Sequence, residues 1–396
     1  MANVSSSNGL EKRPKLRFPG FDEPYKQCRI GDIYAERSQR GASDMELLSV
    51  TMNDGVKPRS EIEGKDNSSE DKSNYKIVRK GDMVYNSMRM WQGANGISPC
   101  DGIVSPAYTV LMPKQEINNG YFAALFKSAN LINEFRKNSQ GMTSDTWNLK
   151  YPQIETIKVQ IPSVSEQDKV SEMFSVLDER IAAQSRLVES LKKYKRGLLS
   201  QLIAQKKAFD TSGEWKTVKL GHIFKERTER AKGNETLLAV TISNGVQRRD
   251  EIDLKDNSSD DKSNYKCVYI GDIAYNTMRM WQGASGVSPY NGIVSPAYTI
   301  VTPIRPDLHN MTFWAYYFKY SPLVQTFQKY SQGLTSDTWN LKFPQFSEIA
   351  VTMPPISKQD KIAECLSVFD EHCKCEDEKL QALLQVRTSL LQQLFI

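Results

Sequence analysis

The chain has 396 residues and a mass of 45.0 kDa, which is too long for one ordinary domain and fits two or three. Hydrophobic residues make up 39% and charged residues 25%, a globular composition that excludes a wholly disordered or fibrous chain. No apolar run approaches the roughly 18 residues of a membrane span. Six cysteines are too few for a disulfide framework, so a cytoplasmic location is expected. The net charge of +5 permits nucleic-acid binding without requiring it.

The chain contains one long internal repeat. Residues 66–110 align with residues 256–300, an offset of 190, and 33 of these 45 pairs are identical. After a two-residue insertion, Gly-Met-Thr-Ser-Asp-Thr-Trp at 141–147 returns as Gly-Leu-Thr-Ser-Asp-Thr-Trp at 333–339. A repeat of this length is the size of a domain, so the sequence predicts two copies of one unit placed end to end.

The first part of each copy combines short strands with brief helices. β-Favouring runs such as Tyr108–Met112 alternate with turns rich in Gly, Pro, Asn and Ser, and Tyr121–Phe126 indicates a buried helix segment. We therefore predict a mixed α+β globule at 21–162 and a second one at 208–355. An N-terminal extension at 1–20, expected to be flexible, precedes them.

A long helix is predicted behind each globule. After Pro162 and Pro355, residues recur at alternate spacings of three and four, the pattern of a coiled-coil seam. The seam positions are Val170, Phe174, Leu177, Ile181, Gln184, Val188, Leu191, Lys195, Leu198 and Leu202, then Ile362, Leu366, Phe369, Cys373, Glu376, Leu380, Leu383, Arg387, Leu390 and Leu394. The helices, at 163–207 and 356–396, would each be about 60 Å long. Because neither can bury its stripe alone, we expect them to pair as an antiparallel coiled coil.

Four features of the chain point to one protein family. They are the alternation of globule and long helix, the Gly-x-Thr element at 141–143 and 333–335, the strand end Ile161-Pro162, and Gln167-Asp-Lys with a long helix behind it. Together they resemble the DNA-specificity (S) subunit of a type I restriction–modification enzyme, over nearly the whole chain. The resemblance implies a non-catalytic α+β protein in which two tandem mixed α/β target recognition domains alternate with two long helices.

The same resemblance implies partners and cofactors. The ligand would be double-stranded DNA, in the cytoplasm of a bacterium or archaeon, with no role for a membrane. Two adenine-specific methyltransferase (M) subunits and ATP-driven restriction (R) subunits would dock on the chain. S-adenosylmethionine, ATP and Mg²⁺ would then belong to those partners, and this chain would bind no cofactor and no metal.

Patterns for catalysis are weak in this sequence. It lacks the Asn/Asp-Pro-Pro-aromatic loop of an adenine methyltransferase and the Gly-x-x-x-x-Gly-Lys-Ser/Thr loop of an ATPase. The best nuclease candidate is Asp54 with Glu63 and Lys65, and in copy two Asn244 replaces the first carboxylate. The alternatives are a free-standing DNA methyltransferase or nuclease with an unrecognised site, and an RNA-binding scaffold.

Three polar segments, nearly identical in the two copies, supply the candidate DNA contacts. Tyr-Asn-Ser/Thr-Met-Arg-Met-Trp-Gln-Gly, at 85–93 and 275–283, offers an arginine suited to guanine and an asparagine and a glutamine suited to adenine. An alternative for this segment is a core strand with its methionines and tryptophan facing inward. The polar loop that ends at Lys76 and the Thr-Ser-Asp-Thr element are either solvated turns or contacts to phosphates and base edges.

The candidate residues are the same in both copies. They are Lys72, Asn74, Tyr75, Asn86, Arg89, Gln92, Thr143 and Ser144, then Lys262, Asn264, Tyr265, Asn276, Arg279, Gln282, Thr335 and Ser336. Since identical base-contacting side chains select identical bases, we expect a bipartite target with two near-identical half-sites. Antiparallel helices would place the half-sites in inverted orientation.

Overall fold

The computed structural model describes residues 13–41, 44–52, 54–66, 68–205, 214–231, 235–252 and 261–396. Contacts divide the chain into two compact units, Met1–Ser185 with Glu378–Ile396, and Arg186–Asp377. Each unit therefore contains one globule and a part of each long helix. Within the described ranges, every helix falls short of the length and apolarity that crossing a bilayer demands.

The first globule has the predicted mixture of short strands and helices. Its strands are β1 (Lys26–Arg29), β2 (Tyr34–Glu36), β3 (Leu47–Thr51), β4 (Gly55–Pro58), β5 (Lys76–Val78), β6 (Met83–Asn86), β7 (Asn95–Ile97), β8 (Gly102–Val104), β9 (Tyr108–Pro113) and β10 (Lys158–Ile161). Its helices are α1 (Ile30–Ile33), α2 (Asn119–Leu125), α3 (Ala129–Asn138) and α4 (Tyr151–Ile154). One antiparallel sheet has the order β2-β9-β6-β7, and a second has the order β4-β3-β8-β5 with β3 and β8 parallel. β1 pairs with β10.

The second globule follows the long helix α5 (Val164–Ile203) and repeats the first. Its strands are β11 (Lys216–Lys219), β12 (Phe224–Glu226), β13 (Leu238–Thr241), β14 (Gly245–Arg248), β15 (Lys266–Val268), β16 (Ile273–Asn276), β17 (Ser285–Val287), β18 (Gly292–Val294), β19 (Tyr298–Pro303) and β20 (Ala350–Met353). Its helices are α6 (Leu220–Ile223), α7 (Met311–Tyr317), α8 (Ser321–Tyr330) and α9 (Phe343–Ser347). The sheet β12-β19-β16-β17 corresponds to β2-β9-β6-β7. The chain closes with the long helix α10 (Ile356–Gln393).

In the first unit, α5 and α10 run antiparallel. The ring of Phe174 stacks on Phe395 with a centroid distance of 6.0 Å. One turn further along α5, the carboxylate of Asp178 accepts two hydrogen bonds, of 2.5 and 3.2 Å, from the guanidinium of Arg387. Residue numbers thus rise along one helix while they fall along the other.

The second unit contains the same antiparallel arrangement. Tyr194 contacts Phe369 with a centroid distance of 5.4 Å, and the Lys192 Nζ donates to Asp377 at 2.9 Å. Every predicted seam position on both helices is buried or half-buried, including the polar Gln184, which is 6% exposed. The predicted antiparallel coiled coil is therefore confirmed within each unit.

The predicted N-terminal extension is described from residue 13, and this part is held against the first unit. The amide of Leu16 donates to the carbonyl of Gln393 at 2.9 Å. The guanidinium of Arg17 donates to both carboxylate oxygens of Glu166, at 2.9 and 2.8 Å. Because the Glu166 side chain is 1% exposed, its charge requires a partner, and Arg17 supplies it. Residues 16 and 17 of this extension therefore contact the first unit.

The contact of Phe395 with α5 gives a stability prediction. Phe395→Ala is expected to lower the free energy of unfolding of the first unit by about 3–5 kcal/mol, because its ring is 4% exposed and contacts Phe174 and Tyr121. Chemical denaturation measures the change. Val386→Ala is the control, since this α10 side chain is 49% exposed and should change stability by less than about 0.5 kcal/mol. Equal losses in the two variants would contradict the packing described above.

Candidate nucleic-acid interface

The first candidate segment is a compact turn between two strands. β6 ends at Asn86, whose Oδ1 accepts a hydrogen bond of 3.0 Å from the amide of Met88. A 3-10 helix follows and ends at Gly93 with a φ of 85°, a left-handed value that glycine adopts without strain. Residues 276–283 repeat this geometry. We call residues 86–93 and 276–283 the turn segments.

The alternative of a core strand is wrong for most of this segment. Met90 is fully buried, whereas Met88 is 42% exposed and Trp91 is half-buried. The turn and the 3-10 helix break the alternation of a strand, so neighbouring side chains no longer face opposite sides. In the second unit, Met280 is likewise fully buried and Met278 is 42% exposed.

The side chains predicted to read bases lie on the outside of this turn. Arg89 and Gln92 are exposed, as are Arg279 and Gln282. Within the described part of the chain, the guanidinium groups of the two arginines form no ion pair and no hydrogen bond. Such a group has all its donors available for the paired acceptors of guanine or for phosphate oxygens.

Asn86 and its counterpart Asn276 are placed differently from the arginines. Both are half-buried, and both use Oδ1 to accept the amide of the residue two positions on, at 3.0 Å. Bidentate reading of adenine needs the carbonyl oxygen and the NH₂ group together. Because the oxygen already stabilises the turn, these asparagines are less suited to base reading than Gln92 and Gln282.

The second candidate segment is a closed loop, residues 140–148, with its counterpart at 332–340. We call these the apical loops. Gln140 and Asn148 exchange two backbone hydrogen bonds, of 3.0 and 2.8 Å, at the base of the first loop. Inside it, the Thr146 Oγ1 donates to the carbonyl of Thr143 at 2.9 Å. Thr143 and Ser144 are exposed, and so are Thr335 and Ser336 in the second loop.

The glycine of the Gly-x-Thr element is required by the geometry of this loop. Gly141 has a φ of 146°, and a Cβ there would lie 2.6 Å from the carbonyl oxygen of Thr146. Gly333 has a φ of 143°, and its Cβ would lie 2.5 Å from the oxygen of Thr338. A larger residue would therefore distort the loop in either copy.

Two tryptophans join each turn segment to its apical loop. Trp91 and Trp147 pack edge to face with a centroid distance of 5.2 Å, and Trp281 and Trp339 do the same at 5.2 Å. A backbone hydrogen bond of 2.8 Å from the amide of Leu149 to the carbonyl of Ser87 adds to this contact. Trp147 and Trp339 are half-buried and form this joint. The fold thus packs each turn segment directly against its apical loop.

The third candidate segment, the polar loop, is largely stabilised by its own residues. Tyr75 is 5% exposed, and its hydroxyl accepts the amide of Ser69 at 3.1 Å. Lys72 is half-buried, its Nζ donates to the carbonyl of Ser69 at 2.9 Å, and it lies 5.6 Å from the Tyr75 ring centre. Asn74 is exposed. The buried ring therefore shapes the loop rather than presenting itself to a ligand.

The polar loop of the second unit is described from Asp261 onwards, and residues 253–260 lie outside the described part of the chain. Tyr265 is 4% exposed, Lys262 lies 6.0 Å from its ring centre, and Asn264 is exposed. The loop adjoins the turn segment through Lys266, whose Nζ donates to the carbonyl of Tyr298 at 2.9 Å. Tyr298 is the register partner of Asn276.

Two half-buried lysines under the turn segments were not predicted from the sequence. The Nζ of Lys319 donates to the carbonyls of Gly283 and Ile242, at 2.7 and 2.8 Å. Burial, together with the positive charge of Lys195, lowers the pKa of Lys319 to about 8. Burial likewise lowers the pKa of Lys127, the counterpart in the first unit. The sequence signal that could have revealed these two lysines is that a lysine follows the same apolar helical segment in both copies.

The nuclease candidate gains no support from the structure. Asp54 is exposed and pairs with Lys57 at 3.2 Å, as an ordinary surface carboxylate does. Among the residues that the structure describes, no group of three or more His, Cys, Asp or Glu side chains could hold a metal ion.

Comparison with known proteins identifies similar chains. The family model for the Type I restriction modification DNA specificity domain matches residues 23–193 and 212–385. The fold is similar to that of the type I restriction-modification S subunit from M. genitalium, with a TM-score of 0.59, 15% identity, and coverage of 97% of this chain and 99% of that one. A chain solved in a study of complex assembly and conformational transition of the type I R-M system has a TM-score of 0.56, 14% identity, and coverage of 95% and 98%.

The half-buried Lys319 gives a prediction about the pH dependence of stability. Its ordinary pKa is 10.5 and its folded pKa is about 8, so between these values the unfolded chain binds more protons. The difference in free energy of unfolding of the second unit, wild type minus the Lys319→Met variant, should therefore rise with pH. The expected rise is about 1–2 kcal/mol between about pH 7.5 and 9.5. Urea titrations at both pH values measure it, with the exposed Lys342→Met as control. A difference that stays constant would contradict the placement of the ammonium group.

Proposed function

The chain belongs to the family of the type I restriction modification DNA specificity domain, of which it contains two copies, and from this premise we propose that each copy reads one half of a bipartite DNA target. The observation that carries the proposal is a duplicated surface. Arg89 with Gln92, and Arg279 with Gln282, are exposed on the same turn in both units. Identical donors and acceptors on identical scaffolds select the same bases.

The roles of the candidate residues follow from their exposure. The two arginines pair with guanine O6 and N7, and the two glutamines with adenine. Asn86 and Asn276 stabilise the turn and contribute a single bond to DNA. The remaining exposed or half-buried polar side chains contact phosphates and fix the register, and these are Lys72, Asn74, Thr143, Ser144, Lys262, Asn264, Thr335 and Ser336. The buried Tyr75 and Tyr265 support their loops.

The two half-sites are inverted and nearly identical, in our proposal. The identity of the candidate base-contacting side chains in the two copies supports near-identical half-sites. In this proposal the half-sites form a palindromic site and lie about 10 bp apart from centre to centre on one face of the duplex. The bases between them are not read.

Catalysis belongs to partner subunits in this proposal. The chain docks two adenine-specific methyltransferase subunits and, for cleavage, ATP-driven restriction subunits. S-adenosylmethionine, ATP and Mg²⁺ are bound by those partners. Two findings support this division: the family is a specificity domain, and a chain of similar fold was solved in a study of type I complex assembly.

Replacement of Arg89 and Arg279 by alanine tests whether these two side chains contact bases. Arg89→Ala and Arg279→Ala should each weaken binding to the target by about 1–3 kcal/mol, because each loses a bidentate base contact. Binding to unrelated duplexes should change less, since it depends on phosphate contacts elsewhere. Fluorescence anisotropy with target and mismatched duplexes measures both.

Two other exposed arginines serve as matched controls. Arg79 is paired with Asp101 at 2.7 Å, and Arg305 with Asp307 at 2.9 Å. Their alanine variants should keep the wild-type discrimination. If Arg89→Ala and Arg279→Ala also keep it, the turn segments do not read bases.

Methylation in the host tests the bipartite target. Sequencing of methylated bases with and without this gene should reveal two near-identical inverted half-sites, with one methyladenine on each strand. Unrelated half-sites, or identical ones in direct repeat, would contradict the proposal. The purified chain alone should neither methylate nor cut DNA, and activity that copurifies with it would favour a free-standing enzyme.

A further inference from the structure

Each apical loop presents one apolar side chain entirely to solvent. Met142 is 99% exposed and Leu334 is 100% exposed. Among the described residues, the next most exposed large hydrophobic side chain is Ile270, at 66%. Transfer of apolar groups out of water lowers the free energy, and full exposure at the equivalent position of both copies suggests a ligand that covers these two side chains.

The loop holds this side chain away from the globule. Met142 follows Gly141, whose backbone conformation excludes other residues, and precedes Thr143, whose amide donates to the Thr146 Oγ1 at 3.2 Å. The Gln140–Asn148 pair closes the base. The closed loop holds the backbone of residue 142 in one conformation, so a binding partner need order only the side chain.

The chemistry of the two side chains limits what they can contact. Methionine and leucine share an unbranched Cβ and an apolar tip, and neither can donate a hydrogen bond. They therefore cannot distinguish bases by hydrogen bonds, which the neighbouring arginine and glutamine can do. Apolar side chains of this kind are the ones that proteins insert between base pairs of a duplex.

The surroundings of the loop favour DNA over an apolar protein surface. The Trp91–Trp147 contact ties the loop to the turn segment that carries the unpaired Arg89. The guanidinium carbon of Arg136 lies 5.8 Å from the Trp91 ring centre, and the exposed Lys150 lies two residues after the loop. Asp145 is the one acidic residue within residues 140–148. These cationic groups complement the charged backbone of a duplex, and the apolar tip complements the stacked bases inside it.

We propose that Met142 and Leu334 are wedges, each inserting between two stacked base pairs of its half-site and bending the duplex there. This inference rests on the proposed function. Unstacking lowers the free energy needed to extrude the neighbouring base, and an enzyme that methylates adenine must take that base out of the helix. The specificity subunit would then select the site and also loosen the base that its partner modifies.

The test uses the full chain and a short duplex containing the sequence found in the methylome. Energy transfer between dyes at the two ends reports bending, and 2-aminopurine beside the methylated adenine reports unstacking. The double variant Met142→Ser/Leu334→Ser should lose the bend and at least half of the rise in 2-aminopurine fluorescence. The exchanged variant Met142→Leu/Leu334→Met should keep both signals. Ile270→Ser, which removes an exposed apolar side chain outside the loops, should also keep both.

Three other outcomes would contradict the proposal that these side chains insert between base pairs. A serine double variant with the wild-type bend and fluorescence would show that the side chains do not enter the stack. If replacing thymine by deoxyuridine in the half-sites abolishes binding while wild-type protein leaves the duplex straight, the side chains contact thymine methyl groups in the groove. A defect that arises only with the methyltransferase subunit present would indicate docking to that protein. Failure of the proposed function is separate, because wild-type chain would then not discriminate target from mismatched duplex at all.

Discussion

Two long helices carry apolar stripes that neither can bury alone, and this constraint organises each unit. In the first unit, Val170 and Phe174 of α5 share a hydrophobic cluster with Leu391 of α10 and with Phe122 of the globule. In the second, Leu202, Ile362 and Trp314 belong to one cluster in the same way. Within each unit, the globule and the helix pair therefore have a common core. That core positions the surface that the globule presents.

The candidate interface depends on a second, smaller contact. The edge-to-face tryptophan pair joins a turn segment to an apical loop that lies more than fifty positions later in the chain, Trp91 to Trp147. Its geometry returns almost unchanged in the second unit, where the interplanar angle is 85° against 80° in the first. A half-buried aromatic joint stabilises exposed polar residues without covering them. That combination suits a surface which must hold its shape while its arginine, glutamine and threonine side chains stay available.

Sequence reasoning succeeded where periodicity was long and failed where it was short. The seam recurs over about ten positions in each helix, and every one of them is buried or half-buried. In contrast, alternation over a few residues suggested a strand around Met88, where a turn and a 3-10 helix put that side chain on the surface. Tyr75 looked like an exposed member of a polar loop, yet its ring is the interior of that loop. Composition alone cannot reveal a small core made from the loop's own residues.

The sequence by itself determined the repeat, the two globules, the long helices and the residue types available for contact, because all of these are encoded in spacing and identity along the chain. Only the tertiary structure decided which of those residues share a surface. The Trp91–Trp147 joint, the partial burial of Lys319 under Gly283 and the full exposure of Met142 each depend on distant segments meeting. Such contacts follow from the packing of a common core, which one-dimensional patterns do not contain.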